Sequence, residues 1–138
     1  DFVQDNHSIS VEGVLRGLHY QFPNPQGKLL RVIYGEIFDV IVDIRKSSST
    51  FGQWRGINLS SDNMKQIWIP PGFAHGFLAL SSKAEVLYKI TEHRHEESER
   101  TIIWNDKEIL IEWPVTKDVI ISNKDKNGTA FKKAQYFE

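Results

Sequence analysis

The feature that most limits how this chain can fold is its punctuation. Short apolar runs, rich in β-branched and aromatic residues, are broken by clusters of Gly, Pro, Asn and Ser. Turn signals return at intervals of about 8–12 residues, the spacing of a β-sandwich or barrel. Leu29-Leu30-Arg31-Val32-Ile33-Tyr34 reads as a strand, and Gly35-Glu36 as the turn after it. From residue 37 to 44 the sequence alternates in part, with Phe38, Val40 and Val42 on one side and Asp39, Ile41 and Asp43 on the other. Further strands are expected over residues 54–59, 66–69, 76–80, 84–91 and 101–104. No stretch longer than about ten residues carries the period of an amphipathic helix. Ser60-Ser61-Asp62-Asn63 is expected to open at most one helical turn. Residues 123–138 read as a polar, Lys-rich loop with a short closing segment. The expectation is one all-β domain over residues 1–138, with short helical segments only.

Composition narrows the function classes. A chain of 138 residues is long enough to bury a real core. Its 17 basic residues face 18 acidic ones, for a formal charge of -1, which argues against nucleic acid as the main partner while leaving room for a local basic pocket. There is no cysteine, so disulfides, thiolate metal sites and cysteine nucleophiles are excluded together. That usage fits a cytoplasmic protein. No apolar run approaches a membrane span, and none reads as a signal segment.

Three segments place a titratable or cationic group in a Gly- or Pro-shaped stretch beside a strand. They are Arg16-Gly17-Leu18-His19-Tyr20-Gln21, Gln26-Gly27-Lys28, and Pro70-Pro71-Gly72-Phe73-Ala74-His75-Gly76-Phe77. Each has a bland explanation: a lone His in a β protein is more often structural, a lone Lys or Arg near a turn is usually solvated, and Tyr88, alternating with Val86, reads equally as a core aromatic. A metal site in a small β-barrel usually needs three or four ligands, often two His one residue apart beside a carboxylate. Two residues after His19 stands Gln21, and His75 has no neighbouring His. His93 and His95 do have that spacing, but in the strongly polar run His93-Arg94-His95-Glu96-Glu97, which reads as a loop.

Taken together, several motifs resemble those of the dTDP-4-dehydrorhamnose 3,5-epimerases. They are Gly13-Val14-Leu15-Arg16-Gly17-Leu18-His19-Tyr20-Gln21, Gly27-Lys28, Gly35-Glu36-Ile37-Phe38-Asp39-Val40, Asp43-Ile44-Arg45-Lys46-Ser47, Thr50-Phe51-Gly52, Ile69-Pro70-Pro71-Gly72-Phe73-Ala74-His75-Gly76-Phe77, Leu87-Tyr88-Lys89 and Ile103-Trp104-Asn105-Asp106. The resemblance runs in order from about residue 4 to residue 125. It implies a cupin-like jelly-roll barrel or sandwich, no metal, no cofactor, and a nucleotide-linked 4-keto-6-deoxy sugar as substrate. Protons on carbons beside a ketone become removable when the enolate is stabilised. An imidazole, with an ordinary pKa of about 6.5, is a suitable base. By resemblance His19 is that base, Lys28 the cation at the ketone oxygen, and Tyr88 the acid on the opposite face. Asp125, in Ser122-Asn123-Lys124-Asp125, matches the carboxylate that orients the base. Arg16 matches a diphosphate-binding cation. His75, Gln4, Asn6, Glu99 and Lys124 match further substrate contacts.

One departure stands out. Where the family commonly carries a Tyr that stacks on thymine, this chain reads Thr91-Glu92-His93-Arg94-His95, placing Arg94 at the stacking position. A guanidinium stacks on bases and also donates hydrogen bonds, so binding is kept while the base preference is opened. The resemblance further implies a homodimer whose N-terminal strands cross to the partner, and this chain is expected to lack those strands. The leading expectation is C3 and C5 epimerisation of dTDP-4-keto-6-deoxy-D-glucose to dTDP-4-keto-L-rhamnose. A single-carbon epimerase on another nucleotide-linked keto sugar, a non-catalytic sugar-nucleotide-binding barrel, and a metal-dependent barrel oxygenase are the alternatives.

Overall fold

The computed structural model describes residues 1–138. Nine strands follow in order: β1 (Gln4–Val11), β2 (Leu15–Gln21), β3 (Lys28–Tyr34), β4 (Glu36–Asp43), β5 (Trp54–Ser60), β6 (Gln66–Ile69), β7 (Phe73–Ala79), β8 (Lys83–Ile90) and β9 (Glu99–Thr101). One helical turn, α1 (Asn123–Lys126), and two 3₁₀ turns complete the secondary structure. A four-stranded sheet has the order β1-β8-β3-β6, and a five-stranded sheet the order β5-β4-β7-β2-β9. All strand pairs are antiparallel. Neighbours so distant in sequence define a jelly roll, with β9 added outside β2.

Two apolar clusters hold this arrangement. Leu30, Val32, Ile37, Leu59, Phe77, Ala79, Ala84 and Val86 fill the space between the sheets. Leu18, Tyr20, Val40, Val42, Ile44 and Ala74 project from the other face of the five-stranded sheet, where Ile102, Ile109 and Phe131 of the C-terminal segment cover them. That sheet is therefore buried on both faces, which is why the alternation in β4 is only partial.

The expected strands are found with shifted ends. The one expected over 76–80 begins three residues earlier, because Phe73, Ala74 and His75 pair with Asp43, Val42 and Ile41. The one expected over 101–104 ends at Thr101; beyond it Ile102 and Leu18 still exchange backbone hydrogen bonds, and Ile103 turns to Thr129. Residues 61–63 form a turn rather than a helix. The tail contains the α1 turn and a buried Phe131 at the covered face, so it belongs to the core. The two N-terminal strands have no counterpart in the sequence reading. In β1 the inward residues are the polar Asn6, Ser8 and Ser10, while Ile9 and Val11 face out. In β2 the register shifts between Arg16 and His19.

Candidate active site

Strand parity assembles the site. Lys28 shares the inward face of β3 with Leu30 and Val32, and Tyr88 shares that of β8 with Ala84 and Val86. From the opposing sheet come His19 on β2, His75 on β7 and Asp39 on β4. Where the apolar inter-sheet core stops, these polar residues continue the same rows. There a cavity of about 330 Å³ opens, lined by Asn6, His19, Lys28, Tyr88, Arg94, Glu99 and Lys124 among others.

His19 is held from behind. Its Nε2 donates to Asp125 Oδ1 at 2.6 Å, and the backbone N–H of Gly17 donates to Asp125 Oδ2 at 3.0 Å. The bond to Nε2 leaves Nδ1 as the ring's free nitrogen. Asp125 is itself buried, and α1 aims it. Ser122 caps that turn, accepting the Asp125 N–H at 3.2 Å, in the Ser-x-x-Asp spacing of a capping box. Here the acidic side chain reaches β2 rather than back to the cap. Burial alone pushes the Asp125 carboxyl up, but the bonds from His19 and Gly17 together with the Lys124 charge bring it below its ordinary value.

Gly17 is required for this geometry. Its φ of 126° lies in the region that favours glycine, and a Cβ would stand 2.6 Å from Gly76 Cα and 2.8 Å from the His75 carbonyl oxygen. The two glycines let β2 and β7 approach closely just before His19, whose Cα is directly paired with that of His75.

Lys28 is buried, and burial lowers its ammonium to about 8, against the supporting charges of Asp39 and Glu99. Tyr88 is raised, mainly by burial, with Arg16 and Arg94 pulling the other way. At the cavity mouth Glu99 accepts from Arg94 Nε at 2.5 Å and from Lys124 Nζ at 2.6 Å. Those contacts, led by Arg94, hold its carboxyl at about 2 despite partial burial. Arg94, Lys124, Lys28 and Arg100 around one carboxylate make a local basic pocket in a chain of charge -1.

The remaining sequence-predicted residues sit at the rim or one layer back. Gln4 donates to Asn6 Oδ1 and accepts the Arg94 N–H, forming the rim. Arg16, whose charge acts on Tyr88, is bonded to Ser10 Oγ and the Ile9 carbonyl. His75 does not line the cavity; its Nε2 donates to Asp39 Oδ1 at 2.7 Å, both residues being buried. His93 and His95 lie beyond β8, where His95 meets Glu92 at 3.4 Å, and nowhere do three His, Asp or Glu side chains converge as metal ligands. Gln21, Gln26 and Arg100 also line the cavity, with no role expected for them from the sequence, where Asp39 stands only as a strand and motif residue. The first two stand inside the motifs quoted above, and Asp39 is a charge within an apolar strand.

The chain that builds this pocket matches known proteins closely over nearly its whole length. Residues 1–133 match the family described as dTDP-4-dehydrorhamnose 3,5-epimerase. The Shigella flexneri enzyme of that name is 59% identical over 138 residues, covering 99% of this chain and 76% of that one. The one from Pseudomonas aeruginosa is 57% identical over 136 residues, or 99% and 75% of the two chains. Among solved structures, a dTDP-6-deoxy-D-glucose-3,5-epimerase from Legionella pneumophila, in complex with dTDP-4-keto-L-rhamnose, superposes with a TM-score of 0.96 at 51% identity. That match covers 98% of this chain and 72% of that one. The chain is an epimerase and belongs to the dTDP-4-dehydrorhamnose 3,5-epimerase family.

Proposed function

We propose that this enzyme inverts C3 and C5 of dTDP-4-keto-6-deoxy-D-glucose, giving dTDP-4-keto-L-rhamnose, with His19 as base and Tyr88 as acid. One observation carries the assignment of roles: the two side chains enter a single cavity from opposing sheets. His19 takes the proton from a carbon beside the ketone, and the electron pair of the broken C–H bond moves onto the ketone oxygen as an enolate. Lys28, a buried amine, stabilises that oxyanion with its positive charge. Tyr88 then delivers a proton to the opposite face of the same carbon, so the configuration is inverted. Asp125 accepts the His19 Nε2–H, fixing the tautomer and stabilising the imidazolium that forms.

Binding falls to the surrounding residues. Lys124 and Arg94 supply cations for the diphosphate and base, Glu99 orients both, Gln4 and Asn6 complete the contacts at the rim, and Arg16 and His75 support the site from one layer back. The Nδ2 of Asn6 is buried without a partner, a donor kept for ligand. Residues 1–138 act as one epimerase unit. It works as a homodimer through the outer face of the four-stranded sheet, where Ile9, Val11, Ile33 and Trp68 are exposed together with the open edge of β1. Light scattering tests that assembly.

Incubation with dTDP-4-keto-6-deoxyglucose, with the product's configuration read by NMR, tests the reaction. Inversion at both carbons is expected, with none in His19→Asn. Inversion at one carbon would transfer the enzyme to the single-carbon reading, and tight binding without conversion would make it a binding protein.

A further inference from the structure

Asp39 is one of the most thoroughly buried carboxylates in the chain, and none of the roles above uses it. It is 1% exposed on β4, in the row that faces the cavity from below. Its Oδ1 accepts from His75 Nε2 at 2.7 Å, while its Oδ2 is buried with no hydrogen-bond partner. An ionised oxygen left so is costly unless a positive charge lies close. The cation available is Lys28, buried on the inward face of the other sheet, within reach of the Asp39 charge and without an ion pair of its own. The titratable and charged groups around Lys28 are Asp39 on β4 and Glu99 on β9, whose charges act on it, His19, Tyr88, Arg94 and Lys124, which share its cavity, and His75 bonded to Asp39. Of the two carboxylates supporting it, Glu99 is already held by Arg94 and Lys124. Asp39 has only an imidazole.

We propose that Asp39 is a positioning residue for the epimerisation, a buried counter-ion that keeps the Lys28 amine protonated at the ketone oxygen while anchoring His75 beside His19. This rests on the role given to Lys28 above. A lysine buried without an adjacent anion sheds its proton near neutral pH and can no longer stabilise an enolate by charge. With Asp39 in place, its titration stays at about 8.

The test reads Lys28 directly, by NMR of lysine ε-carbons in ligand-free protein, with Lys28→Met assigning the signal. Asp39→Asn is expected to lower the Lys28 midpoint by about one pH unit or more. The alkaline limb of the kcat/KM profile is expected to move down with it, and kcat to fall more than KM changes. A midpoint equal to that of the wild type would overturn the proposal, as would a lower kcat with an unmoved limb. Should Asp39→Asn not fold, Asp39→Glu and His75→Gln carry the test, because both keep the carboxylate. Each is expected to leave the midpoint within about half a unit, and a drop of about a full unit in either would assign the effect elsewhere. An unshifted midpoint in Asp39→Asn refutes the Asp39 role whatever the substrate, whereas a wild-type enzyme that epimerises nothing refutes only the functional reading.

Discussion

Replacing Asp125 by Asn removes one charge from the base while changing its shape very little, and the surroundings decide what the amide can do. In the native protein two N–H groups converge on the carboxylate, His19 Nε2–H at 2.6 Å and Gly17 N–H at 3.0 Å. A carboxylate accepts both, but an amide has one oxygen and one NH₂. If its oxygen stays with the fixed backbone N–H of Gly17, its NH₂ faces His19 and forces the ring into the other tautomer. Nδ1 then carries the hydrogen, and the basic lone pair points at Asn rather than at the sugar. If the oxygen turns to His19 instead, NH₂ meets Gly17 N–H and a buried donor is left unpaired. The first outcome forfeits a charge-assisted bond of about 1.5–3 kcal/mol, and the second leaves a buried group unsatisfied at about 1–3 kcal/mol. With the imidazolium also losing its counter-charge, about 4 kcal/mol on the barrier is expected, or roughly a thousandfold in rate. Steady-state conversion followed by chromatography measures it, with thermal melting to verify the fold. A variant within about tenfold of the wild type would refute the tautomer reasoning.

Other expectations are as specific. Tyr88→Phe keeps the base and Lys28, so deuterium exchange from D₂O is expected within about tenfold of wild type, while inverted product falls about a hundredfold by NMR. Glu99→Gln removes a carboxylate held at about 2 by Arg94 and Lys124. A depressed pKa stabilises the fold above the unfolded value and is lost as pH falls towards the folded one. The variant should therefore be about 1 kcal/mol less stable near neutral pH, discounted because both cations are largely exposed, and denaturant titrations should show that gap closing between about pH 4.5 and 2. Gly17→Ala drives a Cβ into the Gly76 and His75 backbone, and a loss of about 3 kcal/mol or more is expected together with loss of activity. Gly13→Ala, at similar positive φ but with nothing nearer than 3.7 Å, should cost only about 1 kcal/mol in the same denaturation experiment.

The architecture was legible where strands bury apolar side chains in alternation, as in β3, β5, β6 and β8. It was illegible where the site inverts that rule. In β1 the inward positions are Asn6, Ser8 and Ser10 because the strand borders the cavity, while Ile9 and Val11 face out, so the pattern points the wrong way. In β2 the register shift and Gly17 break the period just before His19. Motif resemblance supplied Asp125, whose bond to His19 spans 106 residues and has no local signal beyond the Ser122 cap. It also placed His75 among substrate contacts, where the structure sets it one layer back on Asp39. Asp43 shows the converse. It lies in a quoted motif, yet it organises the loop after β4 through Arg45, Ser48 and Thr50, away from the cavity lining.

The central claim is that His19 and Tyr88 act on opposite faces of a carbon beside the ketone. The most direct measurement is one turnover of dTDP-4-keto-6-deoxyglucose by the wild-type enzyme in D₂O, followed by NMR of the product. Deuterium at both C3 and C5, each with inverted configuration, is the predicted result. Deuterium at a carbon that keeps its configuration would place removal and return of the proton on one face and contradict the account.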